Sequence, residues 1–274
     1  MFPTLHTETL GQGADVYLVH GWALHGGVWD KLMTELAHGW RVTRVDLPGH
    51  GRSRAVPMPA TLPELASLLV HAAPRSAVWL GWSLGGLVAL QAALDFPERV
   101  RTLILTGSTP RFVTAPDWDC ALPPQQLAEF RIELARDYRG TVQRFLALQV
   151  HGDAHARASL RQLSASLSAC AEPDVQCLAA GLEILHTSDL RADVPCLAQP
   201  TLVLTGAHDR LVPPAAAAWL ADAIPGARLH SFPKAAHTPF LSHPRAFVVA
   251  LQDFLTPLQV TVAPPCAHGA SRHG

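Results

Sequence analysis

The chain has 274 residues, 49% of them hydrophobic and 16% charged, and 21 basic against 22 acidic side chains leave a formal charge of −1. Disorder requires low hydrophobicity with high net charge, and non-specific nucleic-acid binding requires a basic excess, so neither class applies. A globular, core-forming chain is expected, and at this length one α/β domain is as plausible as two smaller ones.

Near the start, Gly11-Gln12-Gly13 lacks the third glycine of a dinucleotide fingerprint and reads as a hairpin turn. A strand-like run at 16–19 follows, then a helix at 28–37, a strand at 42–45, a helix at 62–73, a strand at 77–80, a helix at 84–94 and a strand at 103–106. Each strand run is too short for a helix and mostly apolar on both faces, the pattern of buried parallel strands. From about Pro110 to Asp189 the alternation fails, and the pattern predicts helices at 124–136, 141–150, 154–169 and 175–186. It resumes with strands at 201–205 and 228–232 and helices at 215–223 and 244–254. The fold class is therefore α/β, a mostly parallel, doubly wound sheet with an inserted helical segment. Residues 1–110 and 190–257 form the core and 111–189 the insertion, while 258–274, rich in Pro, Ala, His and Gly, read as a disordered tail.

Cys120, Cys170, Cys177, Cys196 and Cys266 are odd in number and lack metal-site spacing, which predicts free thiols, a reducing compartment and hence the cytoplasm. The first ten residues lack the basic and apolar regions of a signal peptide. Residues 76–94 form a charge-free run about as long as a membrane span. Three glycines, Ser83 and Gln91 divide that run into strand, turn and helix, so no membrane segment is expected.

Gly81-Trp82-Ser83-Leu84-Gly85 is a G-x-S-x-G pentapeptide between the strand at 77–80 and the following helix. In a nucleophile elbow the Ser occupies a strained strand-to-helix turn, and the flanking glycines avoid collisions with neighbouring backbone. A Ser hydroxyl is a weak nucleophile that needs a base, which in turn needs an orienting acid, in the chain order Ser, Asp or Glu, His. Asp209 follows the strand at 201–205 and His237 follows the strand at 228–232, whereas 107–110 offer no carboxylate. His208, His230 and His243 do not meet the requirement of order and location. The oxyanion needs two backbone donors, expected from Leu84 after the nucleophile and from Trp22 in His20-Gly21-Trp22; His20 reads as a structural residue of that loop. No metal cluster, phosphate loop or cofactor motif is found.

These motifs, with Asp46-Leu47-Pro48-Gly49-His50-Gly51-Arg52-Ser53 and Pro97-Glu98-Arg99-Val100, resemble those of the α/β-hydrolase superfamily in order and spacing. The likeness narrows at 18–22, 79–89, 144–149, 181–185 and 234–240, which together resemble the pimeloyl-acyl-carrier-protein methyl ester esterases of biotin synthesis. It covers roughly Gly11 to Leu255, and two of its segments lie in the insertion, which the resemblance identifies as a cap. It implies a Ser83, Asp209, His237 triad that removes methanol from a pimeloyl methyl ester carried on acyl carrier protein. It also implies substrate contacts at Trp22, Trp82, Ser83, Leu84, Phe145, Leu146, Ala147, Leu148, Gln149 and His237. The carrier is acidic, and Arg144, Arg157 and Arg161 match the family's docking arginines. Arg139 is one residue out of register, with Gly140 where the family has Arg. Between Arg139 and Arg161, four Arg face only Asp153, a local charge of +3. A cytoplasmic monomer without cofactor or metal is expected. A general carboxylesterase, a carbon–carbon bond hydrolase and a non-catalytic receptor share the core motifs and remain open at this point.

Overall fold

The computed structural model describes residues 3–260. Seven strands form one sheet: β1 (Thr7–Leu10), β2 (Ala14–Val19), β3 (Trp40–Val45), β4 (Ala77–Trp82), β5 (Val100–Thr106), β6 (Thr201–Gly206) and β7 (Arg228–Phe232). Their spatial order is β1-β3-β2-β4-β5-β6-β7, and every pair is parallel except β1–β3. β4 and β6 are buried along their whole length because helices cover both faces of the sheet.

Between strands lie α1 (Asp30–Leu36), α2 (Leu62–Ala72), α3 (Leu84–Asp95) and α8 (Pro214–Ala223), and after β7 come α9 (Pro239–Ser242) and α10 (Pro244–Val260). The start of α2 is fixed by a reciprocal capping box between Thr61 and Glu64. α3 is buried on nearly every face, which suits its largely apolar composition. None of the helices among the described residues is long and apolar enough to cross a membrane.

Two expectations need correction. Residues 11–13 are not a hairpin turn, because β1 pairs antiparallel with β3 and not with β2. Gly11 instead sits against the carbonyls of Ala37 and Trp40, so the turn crosses over the α1–β3 connection. The C-terminal helix also continues past residue 257 to Val260, with Leu258 packed on the core; the remainder of the expected tail, 261–274, lies outside the described residues.

The residues between β5 and β6 fold into α4 (Pro124–Arg136), α5 (Tyr138–Gln149), α6 (Ala156–Ser168) and α7 (Val175–Thr187). α4 packs on α5 and α7, while α6 packs on α5 and on α9. An ion-pair network joins the two ends of this helical segment. Arg111 at its start bonds Asp189 at 2.5 Å, and Arg191 just past its end bonds Asp189 at 2.8 Å and Asp117 at 3.1 Å. The Arg191 guanidinium also lies 5.4 Å from the centre of the Trp118 ring. Hydrogen bonds from Arg191, and then from Arg111, pull the Asp189 carboxyl from 3.8 down to about 2.

A carboxyl whose folded-state pKa is depressed contributes stability above its unfolded value and loses that contribution as pH falls through the folded one. Asp189→Asn is therefore expected to destabilise the protein by about 1–2 kcal/mol at pH 7. In urea unfolding, the gap between wild type and variant should close as pH falls from about 4 towards 2.

Candidate active site

Every sequence-predicted catalytic residue lies just beyond the carboxyl end of a parallel strand: Trp22 after β2, Ser83 after β4, Asp209 after β6 and His237 after β7. Ser83 has φ +55° and ψ −120°, a left-handed backbone for a residue that carries a Cβ. Such a conformation costs on the order of 1–3 kcal/mol and persists only where surrounding bonds over-determine it. Here the Ser83 N–H donates to Thr106, and its carbonyl accepts from Gly86 N–H, Leu87 N–H and the Ser108 hydroxyl, all at 2.9–3.1 Å. The motif's glycines are required by close approach. A Cβ on Gly81 would stand 2.3 Å from the Gly85 carbonyl, and one on Gly85 would stand 2.3 Å from that of Val19.

Asp209 and His237 are both buried, and His237 Nδ1 lies 2.8 Å from Asp209 Oδ2. Asp209 Oδ1 accepts the N–H groups of Leu211 and Val212, each at 2.9 Å, so the carboxylate is fixed before it meets the imidazole. A carboxylate only accepts, so in the neutral imidazole the His237 proton resides on Nδ1 and Nε2 presents a lone pair. Nε2 is buried and has no hydrogen-bond partner among the described residues. The elbow and the base loop are also bonded directly: Trp82, the residue before Ser83, donates from Nε1 to the His237 carbonyl at 3.0 Å.

The two expected oxyanion donors have N–H groups without a partner among the described residues. Leu84 is the first residue of α3, so no acceptor exists for it inside the helix, and the Trp22 N–H makes no hydrogen bond among the described residues. Trp22 is wholly buried. Its Nε1 donates to the Leu178 carbonyl at 2.8 Å, and its ring meets Phe145 edge-on at 4.8 Å between centroids. α7 can approach this closely because Gly181 faces the indole, where a Cβ would come within 2.9 Å of Trp22 Cδ1.

Of the expected substrate segment on α5, Phe145, Leu146 and Gln149 are buried, Leu148 is half-buried and Ala147 is exposed. Among the expected docking residues, Arg139 bonds Glu172 and Arg144 bonds Glu133, each at 2.7 Å. Arg157 and Arg161 are exposed one turn apart on α6. No group of three or more potential metal ligands comes together among the described residues.

The sequence reading assigned no role to His50 and only a loop-shaping one to His20. His20 Nε2 accepts the Leu47 N–H at 2.9 Å while Nδ1 donates to the Gly21 carbonyl at 2.8 Å. His50 Nε2 accepts the Ala23 N–H at 3.2 Å while Nδ1 donates to the Pro48 carbonyl at 2.7 Å. Two neutral imidazoles thus stitch the oxyanion loop to the loop after β3, and Ala23 is held at φ +66° between them. Burial keeps both neutral: it pushes His20 well below the usual histidine range, with the nearby His50 adding to the effect, and lowers His50 to about 4. The unfolded chain binds these protons near pH 6.5, earlier than the folded one, so stability falls as pH drops below that value and the His50 effect levels off below about 4. Melting curves from pH 7.5 to 4 should show this decline, and a His50→Gln variant should show less of it.

The chain matches the α/β-hydrolase fold family over residues 16–244. It is 46% identical over 251 residues to the pimeloyl-[acyl-carrier protein] methyl ester esterase of Xanthomonas axonopodis pv. citri (strain 306), covering 92% of this chain and 98% of that protein. It is 44% identical over 254 residues to the enzyme of the same name from Stenotrophomonas maltophilia (strain K279a), covering 93% and 97%. Among solved structures, an esterase from Exiguobacterium antarcticum superposes with a TM-score of 0.82 over 92% of this chain and 95% of its own, at 22% identity, and so shares the fold. With a strained Ser elbow bonded through Trp82 to the loop that carries His237 of a buried Asp–His pair, and with such similarity to these relatives over nearly its full length, the chain belongs to the pimeloyl-[acyl-carrier protein] methyl ester esterase family of α/β-hydrolases.

Proposed function

We propose that the protein hydrolyses the methyl ester of pimeloyl-acyl carrier protein to methanol and the free acid, in biotin synthesis, with Ser83, His237 and Asp209 as the triad. The observation that carries the reading is the buried His237, oriented by Asp209 at 2.8 Å and left with an unpartnered Nε2 beside the strained elbow. That is the state required of a general base awaiting a proton.

In this mechanism Ser83 Oγ attacks the ester carbonyl as its proton passes to His237 Nε2. The negative charge that develops on the carbonyl oxygen is met by the N–H groups of Trp22 and Leu84, the latter at the positive end of α3. Collapse of the tetrahedral intermediate breaks the carbon–oxygen bond to the methoxy group, which leaves as methanol with the proton from His237. Water, deprotonated by His237, then attacks the acyl-enzyme and releases the carboxylate and Ser83. Asp209 stays ionised throughout and stabilises the imidazolium.

Residues 111–189 are assigned as a cap over this centre, with residues 190–260 completing the core begun by 1–110. The likeness to the curated esterases supports the specific substrate, because an alignment of 251 residues cannot omit the cap. Trp22, Trp82 and Phe145 supply apolar surface for a methylene chain, with Leu146, Leu148 and Gln149 on the same helix as Phe145. Ala147 is retained only as part of that segment. The acidic carrier is assigned to the basic face of α6, where Arg157 and Arg161 have no acidic partner among the described residues, unlike Arg139 and Arg144. The enzyme is assigned to the cytoplasm as a monomer acting without cofactor or metal; Cys120, Cys170, Cys177 and Cys196 are free thiols.

Ser83→Ala is expected to lower hydrolysis of pimeloyl-carrier methyl ester by at least about 10⁴-fold, measured as methanol release. Turnover that survives this substitution would refute the mechanism. Reversing Arg157 and Arg161 to Glu should raise KM for the carrier-bound ester by at least about tenfold and leave a small soluble ester unaffected. Equal loss on both substrates would remove the carrier from this face and favour a general carboxylesterase.

A further inference from the structure

The residues that join α5 to α6 grip the loops that carry the acid and the base. The His237 N–H donates to the Gln149 carbonyl at 3.0 Å, and the Ala154 N–H donates to the Lys234 carbonyl at 3.0 Å. On the neighbouring loop, His208 Nδ1 donates to the Gly152 carbonyl at 2.6 Å, one residue before Asp209. Among these bonds lies a buried acidic side chain, Asp153. Its Oδ2 accepts the Ala236 N–H at 2.9 Å and its Oδ1 accepts the His155 N–H at 2.7 Å.

The two oxygens do different things. Oδ1 closes the turn that leads into α6, which a Ser or Asn could do equally well. Oδ2 reaches across to the peptide that immediately precedes His237. Desolvating a carboxylate is unfavourable by several kcal/mol, so a neutral turn former would serve at this position if turn closure were all that it did. A carboxylate is the side chain that offers one acceptor oxygen to each of two N–H groups.

We propose that Asp153 is a positioning residue for the base: through Ala236 it fixes the main chain of His237 to the end of α5. The inference rests on the Ser83, Asp209, His237 reading of the site. Asp153 bonds neither the imidazole nor Ser83; it acts through the loop. Because Gln149 also accepts the His237 N–H, the helix that bears Phe145 to Gln149 and the loop that bears the base move as one unit. The cap then orients the catalytic machinery as well as covering it.

The test uses the full chain and four proteins, wild type, Ser83→Ala, Asp153→Ala and Asp153→Asn, assayed on p-nitrophenyl butyrate with competent sites counted by a fluorophosphonate that labels the nucleophile. Asp153→Ala is expected to lower kcat per competent site by about 10–100-fold, as a displacement near 1 Å does, with KM changed less than twofold and Ser83 labelled more slowly. Asp153→Asn keeps one acceptor oxygen but turns an NH₂ towards the other N–H, so its kcat should fall between those of Asp153→Ala and wild type. Should Asp153→Ala not fold, Asp153→Asn carries the same comparison. Fewer competent sites turning over at the wild-type rate, or a rise in KM alone, would overturn the proposal and leave Asp153 a turn former. Hydrolysis or labelling that persists in Ser83→Ala would instead bring down the parent reading, so the two failures are distinguishable.

Discussion

The backbone of Ser83, held at φ +55° between a buried strand and a buried helix, is the constraint on which the rest of the site depends. A left-handed non-glycine residue is stable only if its neighbours leave no alternative, and the neighbours here come from β2, β4, β5 and α3 together. Gly85 backs onto the end of β2, Ser83 bonds β5 at Thr106, and Ser108 closes the Ser83 carbonyl from the far side. The parallel pairing of these three central strands brings their carboxyl ends to one level, and there the loops bearing Trp22, Asp209 and His237 converge.

Loops cannot hold catalytic geometry without anchors, and this protein uses two kinds. Within the core, His20 and His50 act as neutral bridges that accept from one backbone N–H and donate to one carbonyl each. Burial favours that neutral state, since the charged imidazolium would lose both its hydration and its acceptor role. From the helical segment between β5 and β6 come the other anchors: Leu178 takes the Trp22 indole N–H, and the end of α5 takes the His237 N–H. The loops that bear Trp22 and His237 are therefore both held by one inserted segment. Its own ends are tied by the Asp189 network.

Much of this architecture is legible in the amino-acid sequence. The uninterrupted apolar run of β4, followed by Gly81-Trp82-Ser83-Leu84-Gly85, identifies a buried parallel strand entering a sharp turn, because few other local arrangements need glycines at those two positions. The fold follows from alternating short apolar runs and helical periods, and the four inserted helices from the break in that alternation. β1 is not legible: Thr7 to Leu10 is four residues long, partly exposed on both faces and lacks apolar alternation. The first residues of β3 and β5 escape the pattern because Arg41 and Arg101 point outward where those strands leave the core. α5 begins earlier than its apolar pattern suggests because the Asp137 side chain caps Gly140.

The sequence by itself determined the fold class, and it supplied the chain order of the proposed nucleophile, acid and base and of the proposed backbone donors, because each rests on local pattern and spacing along one chain. Tertiary structure decided which side chains hold those groups in place. That β1 crosses to β3, that Arg139 and Arg144 are paired while Arg157 and Arg161 face solvent, and that Asp153 lies against Ala236 are contacts between segments far apart in sequence. Hydrogen bonds and ion pairs act over about 3 Å, and residue spacing along the chain carries no information at that range once the separation exceeds a turn or two.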